Sequence, residues 1–159
     1  WAAGLGQGSI GRALGFLPDG DEPGPLEELR RDALKLVDAA LADGRAQGYE
    51  VAAGYSPAGA RSLVSLFAFV EEWLRDVSAV AAGADDRVLN ADVLDHLRNA
   101  VERAGVDPAD AAGALLAAEE ARGLARGNVN PQLIMSGLIR DLREALRPRR
   151  VPTTAEAPS

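Results

Sequence analysis

Residues 60–83 read ARSLVSLFAFVEEWLRDVSAVAAG, with Leu63, Phe67, Val70, Leu74, Val77 and Ala81 three or four positions apart and Gly83 closing the run. That spacing gathers the apolar side chains on one face of a helix, and glycine after the last of them is a common stop. The stretch predicts a long central helix that other helices must cover. Downstream, Asn90 reads as the cap of a helix carrying Leu94, Leu97, Val101 and Ala104 and ended by Gly105. Asp107-Pro108 opens an alanine-rich helix to about Arg126, and Asn130-Pro131 opens a last one with Ile134, Leu138, Leu142 and Ala145.

Upstream, Pro25 is a good first helical residue, and Leu26, Leu29, Ala33, Leu36, Val37, Ala40 and Leu41 follow at helical spacing toward Gly44. Ser9 caps a short helix through Leu14 or Phe16, which the proline- and glycine-rich stretch from Leu17 to Pro25 interrupts. Residues 44–59, with four glycines spaced along them, Pro57 and two tyrosines, support at most a short helix. No run alternates with period two, so the fold class expected is all-α, a bundle of about five helices without a sheet.

Composition narrows the function. The 159 residues are 47% hydrophobic but only 4% aromatic, a balance that suits close-packed Leu, Val and Ala helices. Without cysteine there are no disulfides, thiolate metal sites or cysteine nucleophiles, which fits a reducing, cytoplasmic setting. No segment has the length and apolarity of a membrane span. A net charge of -7 works against phosphate backbones, so DNA contact needs a local basic patch. The candidate is Arg140, Arg143, Arg147, Arg149 and Arg150, although cations near a helix C-terminus and an ion pair from Arg140 to Glu144 explain much of it.

Chemical motifs are scarce. Gly6 to Gly11 matches G-x-G-x-x-G, but no strand precedes it, and the only lysine, Lys35, sits in a helix, so a tight turn is favoured over a nucleotide cradle. His96 has no histidine partner and reads as a surface residue. The pairs Glu27-Glu28, Glu71-Glu72, Asp85-Asp86 and Glu119-Glu120 point about 100° apart on a helix and read as solvated faces. Trp73, Phe67 and Phe69 read as core. No catalytic residue, cofactor or metal site is expected, and no small-molecule ligand.

Several short segments carry a resemblance. Gly8-Ser9-Ile10-Gly11-Arg12-Ala13-Leu14 resembles the G-S-x-x-x-A-L turn and helix that ends the AAA+ lid of clamp-loader subunits. Asn128-Val129-Asn130-Pro131-Gln132-Leu133 resembles the N-x-N-P-Q-L start of the last collar helix in bacterial delta-prime and gamma/tau subunits. Between them, Trp73-Leu74-Arg75-Asp76 resembles the W-L-R-D of the central collar helix, and Gly83-Ala84-Asp85 its following turn. The match covers residues 5–16 and about 60–146, and residues 17–59 agree in helical character only.

The resemblance implies residues 1–16 as the end of a lid, 17–25 as a linker, 26–147 as a helical collar domain and 148–159 as a disordered tail. A chain opening at Trp1 then reads as part of a longer protein. In ATP-hydrolysing gamma/tau subunits the lid motif carries a sensor arginine that reaches the phosphates. Gly11 stands in that place here, which is similar to the non-hydrolysing delta-prime type. The implied role is non-catalytic oligomerisation in a subunit of the DNA polymerase III holoenzyme. Partners would be the collars of gamma/tau and delta, with DNA contacted weakly or indirectly. The structural or interface candidates are Trp73, Leu74, Arg75, Asp76, Asn128, Asn130, Pro131, Gln132, Leu133 and Leu138, and a second Ala- and Leu-rich face near Leu115 and Leu138 would meet neighbours. The C-terminal part of a gamma/tau ATPase, or an unrelated helical adaptor, would share most of these features.

Overall fold

The ends of each helix follow from its boundary residues. In the computed structural model, which describes residues 2–42, 60–127 and 130–147, α1 spans Ala2–Leu5 and α2 Ile10–Gly15. Between them Gln7 and Gly8 take positive φ, and the Ser9 hydroxyl accepts from the Arg12 N–H at 3.3 Å. Helix α3 spans Pro25–Leu41 with proline in its first turn, and α4 spans Ala60–Ala81. Two short 3-10 turns, Asp85–Arg87 and Ala91–Val93, lead into α5 at Leu94–Ala104.

Gly105 ends α5 in the left-handed region at φ 65°, the conformation that glycine adopts without steric cost. Asp107 and Asp110 then form a reciprocal capping box for α6, Pro108–Ala125. Asn130 accepts from the Gln132 N–H at 2.9 Å and opens α7, Pro131–Ala145. The described residues are all-helical, with five helices of 11 residues or more and no strand; Asp19 and Glu22 form an isolated bridge. No helix among them is long and apolar enough to cross a membrane.

Helix α4 is the centre, packing on α3, α5 and α6, while α7 closes the bundle against α6 and α3. Its period-3.6 face is what the core is made of: Leu63, Leu66, Phe67, Val70, Trp73, Leu74 and Val77 are all buried. The two N-terminal helices join the same core. Phe16 is buried with its ring edge-to-face on Phe69, the centroids 5.9 Å apart, and Leu5 lies in the same cluster.

One expected cap fails. Asn90 makes no capping hydrogen bond, because its side chain is buried and committed elsewhere, and a 3-10 turn separates it from α5. Gly44, the tail after Arg147 and the glycine-rich residues 44–59 lie outside the described residues.

Candidate interaction site

Two of the residues that carry the resemblance, Trp73 and Asp76, sit at joints between helices. Trp73 is buried and donates from Nε1 to the Arg30 carbonyl at 2.9 Å, tying α4 to α3. Three residues later, one turn along the helix, Asp76 is buried too. Its Oδ1 accepts from the Leu89 N–H at 2.9 Å, and its Oδ2 accepts from the Asn90 N–H at 3.0 Å and from Asn90 Nδ2 at 2.7 Å. A carboxylate holding two backbone donors and an amide fixes the segment that leads from α4 into α5.

Asn90 passes the connection back to α3, because its Oδ1 accepts from Arg30 Nη1 at 2.9 Å. Arg30 also donates to Glu27 at 2.8 Å and to Asp92 at 2.8 Å, and its guanidinium carbon lies 5.3 Å from the Trp73 ring centre. Burial works against the Arg30 charge, and the hydrogen bonds and negative charges of Glu27 and Asp92 outweigh it, holding the guanidinium above its ordinary pKa. This makes a satisfied buried polar network, rigid and specific in geometry. Its chemistry is to position three elements.

The other candidates divide by burial. Leu74 and Leu138 are core residues. Arg75 is exposed, 3.7 Å from Glu71, and Asn130, Gln132 and Leu133 are exposed at the start of α7, behind Pro131. Asn128 lies outside the described residues. At the lid-like turn Gly11 is exposed, with nothing within 4 Å of where a Cβ would stand. Arg12 turns inward. Its Nε donates to the Leu5 carbonyl at 3.0 Å, its Nη2 pairs with Glu72 at 2.6 Å, and its guanidinium lies over the Phe16 and Phe69 rings.

One sequence expectation is corrected here. The solvated-face reading fails for Glu27 and Glu71, both of which are buried among arginines. Burial pushes Glu71 above the usual carboxylate range, opposed by Arg122, Arg75 and Arg126 and assisted by Glu119. Arg122 Nε lies 2.8 Å from Glu71 Oε1, near enough for charge pairing but misaligned for a hydrogen bond, so that oxygen is buried without a donor.

Two arginines of the last helix have structural partners, as the sequence reading favoured. Arg143 is buried and donates to the Ala39 carbonyl at 3.2 Å and the Ala42 carbonyl at 2.8 Å, covering the C-terminus of α3. Arg140 donates from Nε to the neighbouring Asp141 carboxylate at 2.8 Å. The helices around Leu115 and Leu138, expected to carry a face for neighbours, place their leucines on both sides. Leu138 is core and Leu115 packs partly against it, whereas Leu116, Leu124 and Leu133 are the exposed leucines of α6 and α7.

The arrangement offers no acid-base or nucleophilic constellation among these residues. His96 stays at the surface, its Nε2 2.8 Å from Asp38 Oδ1. No group of three or more potential metal ligands occurs among the described residues. Comparison with protein-family models, with curated proteins and with solved structures finds no match to this chain.

Proposed function

We propose that this chain is a non-catalytic oligomerisation domain of a bacterial clamp-loader subunit, delta-prime in type. The supporting observation is the joint built from Trp73, Asp76, Asn90 and Arg30. Trp73 and Asp76, the first and last residues of the W-L-R-D resemblance, tie α4 to α3 and to the approach to α5, a structural reason for those two positions in a helical assembly domain. Arg12 favours the delta-prime type over gamma/tau. The one cation beside Gly11 is committed to Glu72 and the Leu5 carbonyl and faces the bundle instead of a phosphate.

Against a DNA-binding reading, Arg143 of the arginine group serves the end of α3. On the proposed reading, sedimentation of the chain mixed with gamma/tau or delta subunit gives a faster-moving complex, and titration with magnesium-ATP gives no heat. A saturable ATP signal in the micromolar range, or no complex at any concentration, rejects the proposal.

A further inference from the structure

Arg75 is the charged residue of the Trp73–Asp76 stretch that the joint leaves unused, and other arginines stand near it. It lies one turn after Glu71 on α4, with its Nη2 3.7 Å from Glu71 Oε2. Arg122 of α6 reaches the same carboxylate from the neighbouring helix, and Arg126, one turn further on, is close enough to act on its ionisation. Three guanidiniums from two helices thus gather about one buried acid.

Pairing with Glu71 does not account for all three. Where arginine and carboxylate pair elsewhere in the chain, the hydrogen bonds are short and aligned, as from Arg12 to Glu72 at 2.6 Å, Arg30 to Glu27 at 2.8 Å and Arg98 to Asp85 at 2.6 Å. Arg75, Arg122 and Arg126 donate no hydrogen bond to any described residue, and Glu71 Oε1 is buried beside Arg122 without a donor. Glu119, which also acts on Glu71, makes no ion pair with any of them among the described residues. The C-terminus of α6 favours cations at Arg122 and Arg126, but Arg75 lies inside α4, where no helix end asks for charge. Burial separates the charges as well. Glu71 is 2% exposed, whereas Arg75 and Arg126 are exposed and Arg122 is partly so. Solvent therefore meets guanidinium donors here, with the Glu71 carboxylate behind them.

A guanidinium presents a planar fork of N–H donors that fits phosphate and carboxylate oxygens. Donors arriving from two helices suit a tetrahedral group better than a flat one, because a carboxylate takes its donors near one plane. Excess positive charge favours two negative charges over one. We propose that Arg75, Arg122 and Arg126 form a binding site for a dianionic phosphate, the terminal group of a phosphate monoester, with Glu71 as the counter-charge behind them. The site is independent of the assembly reading. Solvent screening on an open surface sets its affinity in the millimolar range, far weaker than the micromolar nucleotide signal that would reject that reading.

The test follows the arginine Nε–Hε resonances of the chain by NMR at constant ionic strength and mildly alkaline pH, where a phosphate monoester is a dianion. The titrants are methyl phosphate, inorganic phosphate, dimethyl phosphate and acetate. The expected result is saturable shifts at Arg122 and Arg126 with methyl phosphate, and binding at least fivefold weaker for dimethyl phosphate and acetate, which carry one charge each. Arg126→Glu loses at least tenfold. Lys35→Glu, the same charge change at an exposed position on α3, binds as the parent does. Glu71→Gln removes the opposing charge while keeping the shape, and binds methyl phosphate several-fold more tightly; a Glu71 that serves the fold alone gives no such gain. Circular dichroism verifies that each variant folds, and Arg126→Glu, at an exposed position, decides the matter if Glu71→Gln does not. Shifts that rise without saturating, acetate binding as tightly as methyl phosphate, or unchanged affinity in Arg126→Glu overturn the site. Inorganic phosphate binding more tightly than methyl phosphate assigns it to free phosphate and overturns the monoester.

Discussion

The two asparagines that precede helices do different work, and single substitutions separate them. Asn130 caps α7 from an exposed position through one hydrogen bond to the Gln132 N–H. Asn130→Ala should cost about 1 kcal/mol, read as a shift in the urea midpoint with an unchanged slope. Asn90 instead links Asp76 to Arg30 inside the protein, so Asn90→Ala removes one buried hydrogen bond from each and should cost about 1–3 kcal/mol by the same measurement. Glu71 gives a pH signature. Its folded pKa is raised, so the folded state holds the proton more firmly than the unfolded state, and the associated stability is present below the unfolded carboxylate pKa. As pH rises through the unfolded value toward the raised folded one, that stability is lost. The stability of the parent relative to Glu71→Gln should therefore increase as pH falls from neutral into the carboxylate range. A difference that stays flat or runs the other way would mean that Arg122 and Arg75 outweigh burial at this carboxylate.

At the scale of the element, much was legible because it was local. Asp107-Pro108, Asn130-Pro131, Ser9, Gly83 and Gly105 act within a few residues of themselves, and the periodicity of residues 60–83 lies within one helix. The failures were of partners distant in sequence. Asn90 has the residue type of a cap, and only the position of Asp76 and Arg30 across the bundle shows that it is spent elsewhere. Arg30 does carry a sequence signal, because it falls on the same stripe of α3 as Leu26, Ala33 and Val37. A charge on a core stripe needs a partner inside. Glu27, three residues before it, carries the same signal. Arg143 gave no such sign, since it serves carbonyls about a hundred residues away. Two predictions belong to this scale. Asp76→Ala removes the acceptor of three donors and should cost about 3 kcal/mol, with faster hydrogen exchange at Leu89 and Asn90. Gly123→Ala should stabilise the isolated chain by roughly 1 kcal/mol, since helix propensity favours alanine and space is open there.

For the whole molecule, the helical class and its all-α architecture follow from composition and period, while the working surface does not. Leu115 and Leu116 are adjacent in sequence, and helical phase, which the packing of α6 on α4 and α7 sets, decides that the second of them faces outward. On the proposed reading, contact between subunits is driven by apolar surface, and the net charge of -7 works against a phosphate backbone. If the proposed contact is one of several in a closed ring, it is weaker alone than in the ring, so binding must be followed over a wide concentration range. The most direct measurement is the dissociation constant for gamma/tau across low to high salt, alongside that for primed single-stranded DNA. The account predicts saturable subunit binding that changes only a few-fold with salt, and DNA binding that is weak throughout. Tight DNA binding that falls steeply with salt, with no subunit binding even at high protein concentration, would contradict it.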